Sequence, residues 1–341
     1  MAPIPQGGTV AVTGSAGFIG GWVVRQLLDE GYRVRACVRD TNDEDKAGFL
    51  KAMPGYASGR LTLHSANLDE AGCFDEIFRG CHGVAHLSHV STYDDLDYVK
   101  KVCDHVINSV NQSETVNRVI VTSSIAAVIS EQDIQELVRR PVLYEDRYPD
   151  EQNPKRLPER GQGYSMGKVL AERAFADAAE ASGRWDAITC CPGDNVGPIQ
   201  SAHQKNGGPW QHHIETMLLG KYTQNVIGAY RAWYTVDVRD VAEAHLRAAY
   251  IKNAEGRHII FNEVKSFVNL AGFLTEKYGK DFPLPKKELP KWLLWLVGPI
   301  VDKTFSRKMI SLNMGHKWRA NNGKSIEKLG MTYSSLKSST E

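Results

Sequence analysis

Three glycines at three-residue intervals, in Thr13-Gly14-Ser15-Ala16-Gly17-Phe18-Ile19-Gly20, separate an apolar run of strand length, Thr9–Val12, from a segment with helical periodicity. In that segment Ile19, Val23 and Leu27, and likewise Val24 and Leu28, recur at four-residue spacing, and Gly31 stops the predicted helix. Gly14 permits a tight turn, Gly17 has no Cβ to keep a pyrophosphate off the backbone, and Gly20 lets helix and strand pack closely. Free amides at the helix's amino end, with its dipole, then attract phosphates. A strand, this glycine turn and a helix in succession predict a dinucleotide site formed by Thr13, Gly14, Ala16, Gly17, Phe18, Ile19 and Gly20.

The first half of the chain repeats the β-then-α theme. Val34, Ala36 and Val38 alternate with Arg33, Arg35 and Cys37 as in a half-buried strand. Further strands are expected at Leu61–Ser65, Gly83–Leu87, Arg118–Thr122, Ala187–Cys191 and His258–Asn262, and a long helix at Tyr164–Ser182. Parallel strands need crossover helices, so the expected class is α/β: a Rossmann-type, doubly wound parallel sheet of seven strands. After Asn195 the pattern loosens, and from Phe282 it becomes Pro- and Trp-rich. The expected division is therefore a nucleotide-binding domain from 1–194 plus 236–262, and a smaller, discontinuous C-terminal substrate lobe from 195–235 and 263–341.

The end of the second strand bears on which dinucleotide binds. An acidic residue there commonly accepts from the ribose 2′-hydroxyl of NAD. This chain reads Val38-Arg39-Asp40, with Lys46 after a short acidic loop. The Arg39 guanidinium can pair with a 2′-phosphate and Lys46 can add a point charge, which favours NADP (NADPH). Asp40 keeps NAD open as the alternative.

Tyr164-Ser165-Met166-Gly167-Lys168 places a phenol and an ammonium at i and i+4, on one helical face. An ammonium one turn away stabilises the phenolate form, so Tyr164 is expected to act as an acid near neutrality. Thr122-Ser123-Ser124 ends a predicted strand, where a hydroxyl can orient a carbonyl oxygen toward the tyrosine.

Together these motifs resemble the extended short-chain dehydrogenase/reductase superfamily. Gly31-Tyr32-Arg33-Val34-Arg35, the run from Gly80 to His86, the segment from Val236 to His245, and Asn322-Gly323-Lys324-Ser325 with Leu329-Gly330 resemble its dihydroflavonol reductase and cinnamoyl-CoA reductase branch. The resemblance implies a catalytic triad of Ser124, Tyr164 and Lys168, with Arg39 and Lys46 at the 2′-phosphate. It also implies Asn67 and Leu68 beside adenine, Leu87 along the cofactor, Pro192 and Gly193 at the nicotinamide, and Ser124, Ile129 and Tyr164 at the substrate. Two departures concern substrate. Ile129 stands where flavonoid reductases often carry Asn or Asp, and Gln162-Gly163-Tyr164-Ser165-Met166-Gly167-Lys168 lacks the aromatic–Cys signature of the CoA-thioester reductases.

The expected activity is NADPH-dependent, reversible reduction of an aldehyde or ketone to an alcohol on a small-molecule carbonyl substrate. Alternatives are a sugar-nucleotide epimerase or dehydratase, a sterol-type 3-hydroxy dehydrogenase, and a non-catalytic NADP-sensing binding protein. Ile125-Ala126-Ala127 after the serine supplies no carboxylate for a dehydratase. A net charge of +1 provides no global drive toward nucleic acid. Six scattered cysteines fit neither a disulfide framework nor a zinc site, so no metal is expected, and the setting is expected to be cytoplasmic. The apolar run Trp292–Val301, broken by Gly298 and Pro299, is too short to span a bilayer and reads as a cap over a pocket or a weak membrane-surface contact. A monomer or homodimer is expected.

Overall fold

A computed structural model describes residues 2–88, 90, 92–93, 95–128, 142–143, 162–206, 209–220, 226–227, 233–301, 306–316 and 319–340. Seven strands, β1 (Thr9–Thr13), β2 (Arg33–Val38), β3 (Leu61–Ser65), β4 (Gly83–His86), β5 (Arg118–Thr122), β6 (Asp186–Pro192) and β7 (Gly256–Ile260), form one sheet in the order β3-β2-β1-β4-β5-β6-β7. Every neighbouring pair is parallel. The order reverses between β1 and β4, which opens a crevice at the carboxyl ends of those strands.

Period-two alternation sends successive side chains into two layers. Val10, Val12, Ala85, Ile120 and Ile188 pack with Val23 and Leu27 of α1 (Phe18–Asp29) and with Val241 and Leu246 of a helix over Val238–Tyr250. Ala11, Val84, Val119 and Val121 face the other way, onto Val99, Val102 and Val106 of the Leu96–Gln112 helix and Phe175 of the Gln162–Ser182 helix. The α1 helix ends as expected, with Gly31 at φ +85° donating its amide to the Leu28 carbonyl. At the opposite end of the sheet from the crevice, fully buried Arg118 clamps Asp186 with two bonds of 2.9 and 2.8 Å and also donates to the Ala248 and Ile251 carbonyls.

The seventh strand starts and ends two residues earlier than the apolar pattern suggests. Its polar opening, Arg257-His258, is buried inside the sheet, and Asn262 has already left it to donate its backbone amide to Thr235. A second, three-stranded sheet joins Asp194–Val196, Trp233–Asp237 and Glu263–Lys265. The Gly323–Leu329 helix returns to the main body, where Leu329 and Met331 join the same layer as Leu246.

Candidate active site

The glycine turn is built by close approach. Gly14 has φ +69°, and a Cβ on it would lie 2.9 Å from the backbone after β4. A Cβ on Gly20 would lie 2.2 Å from the Gly14 carbonyl oxygen, so helix and turn touch with no room for a side chain. Buried Thr13 ties the two central strands together: its Oγ1 accepts from the amides of Leu87 and Ser88, both at 3.1 Å. With those lone pairs occupied, the hydroxyl proton goes to His86 Nδ1 at 2.9 Å, which makes His86 a neutral acceptor. Burial, helped by the Lys168 charge, lowers the His86 pKa to about 3. Gly17 is the α1 N-cap and contributes no side chain, and the first turn carries no acidic residue. Phe18 is buried and Ile19 packs partly against the core, so the helix's opening amides face the crevice without a competing anion from that turn, which suits a pyrophosphate.

A segment that sequence reasoning passed over lies against this turn. His203 and Gln204 both donate to the Ala16 carbonyl, at 2.7 and 3.1 Å, and Gln204 also reaches the Gly17 carbonyl at 3.2 Å. Trp22 donates to the Pro198 carbonyl at 2.9 Å. The His203 and Gln204 bonds engage carbonyls of the turn; the Ser15 and Gly17 amides are themselves committed, to the Cys37 and Gly14 carbonyls, so the amides a pyrophosphate would meet are those that open α1 beyond them.

At the end of β2, Arg39 and Asp40 are exposed. The Asp40 carboxylate accepts the Asn42 amide at 2.8 Å in a local turn, and Lys46 pairs with Asp43 at 2.8 Å. Asn67 is likewise engaged, donating to Glu70 at 3.1 Å, while Leu68 packs on the core and its carbonyl accepts from His105.

The Gln162–Ser182 helix begins two residues before the expected start and carries Tyr164 and Lys168 toward the end of β5. Lys168 is 8% exposed; its ammonium donates to the Thr122 carbonyl at 3.1 Å and lies 5.8 Å from the centre of the Tyr164 ring. Burial opposes this charge, but Tyr164, Tyr93 and the Glu172 carboxylate more than offset it, so Lys168 sits above the ordinary lysine range. Ser124 caps a short turn over Ile125–Ala127: its Oγ accepts the Ala126 amide at 3.2 Å, which leaves its proton to donate elsewhere. Pro192 ends β6, and Gly193 follows in a spot where a Cβ would lie 1.9 Å from the Tyr234 carbonyl oxygen. Ile129 lies outside the described residues.

Two further features join this constellation. Tyr93 meets Tyr164 edge-on with ring centres 4.9 Å apart, accepts a hydrogen bond from Lys168, and occupies the space that a side chain at Gly167 would need. The small residue before the lysine was the available signal. Glu172, one turn beyond Lys168, forms a buried ion pair with Arg257 at 2.7 Å; side-chain exposures are 1% and 7%. Cys191 Sγ donates to Glu172 at 3.4 Å, and Arg257 also donates to the Ala127 carbonyl at 3.0 Å, just behind the Ser124 turn. Burial pushes the Glu172 carboxyl up, against the pull of Arg257. Four-residue spacing from Lys168 placed Glu172 on the same helical face, but only the fold supplies its partner.

A glycine-turn crevice at the reversal of a parallel sheet, with a tyrosine–lysine pair at its rim, defines a dinucleotide-binding α/β protein. Residues 10–262 match the NAD dependent epimerase/dehydratase family, and the chain belongs to it. It is 34% identical over 296 residues to a cinnamoyl-CoA reductase of Medicago truncatula, covering 84% of this chain and 86% of that one. It is 29% identical over 328 residues to a dihydroflavonol 4-reductase of Callistephus chinensis, covering 91% and 82%. Among solved structures, vestitone reductase from alfalfa (Medicago sativa L.) superposes with a TM-score of 0.72 at 22% identity, covering 96% and 94% of the two chains. Gre2 from Candida albicans, in complex with NADPH, does so with a TM-score of 0.75 at 23% identity, covering 99% and 96%.

Proposed function

We propose that this protein is an NADPH-dependent carbonyl reductase that converts an aldehyde or ketone to an alcohol, with Ser124, Tyr164 and Lys168 at the reacting carbonyl. The observation that carries this reading is the buried Lys168 ammonium, fastened to the Thr122 carbonyl one helical turn from Tyr164 and two residues before Ser124. NADPH, when bound, supplies the hydride. Tyr164 delivers a proton to the carbonyl oxygen as negative charge builds there, and Ser124 donates to the same oxygen. Lys168 keeps positive charge beside the phenol, and Tyr93 holds the edge of the Tyr164 ring. The turn amides of α1 receive the pyrophosphate.

Arg39 receives the 2′-phosphate of NADPH. Support comes from Asp40, one of whose carboxylate oxygens is engaged by the Asn42 amide in a local turn, while Arg39 beside it is exposed. The curated relatives, named as cinnamoyl-CoA and dihydroflavonol reductases, support carbonyl chemistry, and the Gre2 structure in complex with NADPH supports the cofactor. The parts of 195–235 and 263–341 other than the His203–Gln204 contact with the glycine turn and the Gly323–Met331 return to the main body make up the lobe that encloses the small-molecule substrate. A panel of aldehydes, ketones and β-keto esters followed by NADPH absorbance, with NADH in parallel, tests this reading. At least one carbonyl is expected to be turned over with preference for NADPH, and Arg39→Ala is expected to remove that preference by roughly 10- to 100-fold, the range for a charge-assisted hydrogen bond. An inert panel despite NADPH binding would refute it.

A further inference from the structure

The Lys291–Val301 helix carries Trp292, Trp295, Leu296 and Ile300 on one face, with exposures of 65%, 38%, 47% and 84%. At 100° per residue these positions, with Pro299, span an arc of roughly 140°. Its other side is anchored: Leu294 packs with Ile310 and Met314. An anchored helix thus holds a two-tryptophan apolar stripe in water. Basic groups surround it. The described residues among 286–308 contain five Lys or Arg and one Glu, a net +4 in a chain whose total is +1, so all other residues sum to −3. Arg307 lies over the Trp295 ring, 4.7 Å from its centre, and Lys286, Lys287 and Lys308 are exposed on the adjoining elements.

We propose that this face docks on an anionic lipid surface, with the helix lying in the plane of the headgroups. Eleven residues make a helix of roughly 16 Å, about half a bilayer's hydrocarbon thickness, so it cannot cross. Tryptophan and aliphatic side chains between cations are the composition that partitions to that interface. A second copy of the chain is disfavoured as the occupant, because a two-fold contact sets one +4 segment against another.

Vesicle flotation of the full chain tests the proposal, using phosphatidylcholine alone and phosphatidylcholine with phosphatidylserine, at low and high salt. The protein is expected to float with the phosphatidylserine vesicles at low salt, with a blue shift of tryptophan emission, and to be released at high salt. Trp292→Ser/Ile300→Ser is expected to weaken binding at least tenfold with unchanged circular dichroism, since both side chains are exposed. Arg307→Ala/Lys308→Ala removes roughly fivefold per charge. Failure to float, or equal flotation on neutral vesicles, would overturn the proposal. So would a dimer in sedimentation velocity that the Ser pair dissociates while vesicles capture neither form.

Discussion

Glu172→Gln removes the negative member of an ion pair whose side chains are 1% and 7% exposed, so water screens little of the change. The Arg257 guanidinium then stays in the core with its bond to the Ala127 carbonyl and no counter-charge. Breaking a buried pair from one side costs about 3–5 kcal/mol, largely the cost of the stranded charge. Arg257→Met strands the carboxylate instead, and that is expected to cost a similar amount, relieved in part where burial lets Glu172 take up a proton. The double variant Glu172→Gln/Arg257→Met strands no charge. It loses the bond to Ala127, worth about 1 kcal/mol, and some packing, so it is expected to cost about 1–2 kcal/mol, less than either single change. Urea unfolding followed by circular dichroism, extrapolated linearly to water, reads all four corners of the cycle. A loss below about 1 kcal/mol for Glu172→Gln, or a double variant as unstable as the sum of the singles, would refute this account of the pair.

Gly20→Ala places a methyl group 2.2 Å from the Gly14 carbonyl oxygen, a clash with backbone on both sides. It is expected to cost about 1–3 kcal/mol and to weaken NADPH binding as α1 shifts from the turn; an unchanged melting temperature and affinity would contradict the packing described. Three buried histidines set an acid limit. Burial lowers His86 and His258 to about 3 and His245 to about 4, the last against its bond to the Val241 carbonyl, which favours the charged form, while its other ring nitrogen faces Thr122. Because their folded pKa values lie below the unfolded value of about 6.5, their contribution is complete above that pH and is lost as pH falls toward 4. At pH 5 the loss is about 2 kcal/mol each, on the order of 6 kcal/mol together, and a stability flat between pH 7 and 5 by urea titration would rule it out.

Much of the core was legible because its signals are local. Alternation in Val34, Ala36 and Val38, the four-residue recurrence from Ile19 to Leu28, and the glycine spacing each depend on neighbours within one turn or strand. The start of β7 was not legible, because Arg257, ahead of the expected His258, is polar and looks like a loop until Glu172 arrives from another element. Tyr93 and His203 were hidden for a related reason: each acts across the fold, on Tyr164 and on Ala16, from segments without periodicity. At the adenosine end the residue types were read from position, yet the turns they make locally, Asp40 with Asn42 and Asn67 with Glu70, follow from backbone geometry that residue type alone does not reveal.

The most direct test of the central claim is single-turnover reduction of the best carbonyl substrate by Tyr164→Phe loaded with NADPH. Removing only the hydroxyl leaves the ring contact with Tyr93, so cofactor affinity is expected to hold while the rate falls by ~100-fold or more. A variant that oxidises NADPH at a rate close to that of the unaltered protein would contradict the assignment of Tyr164 as the proton donor.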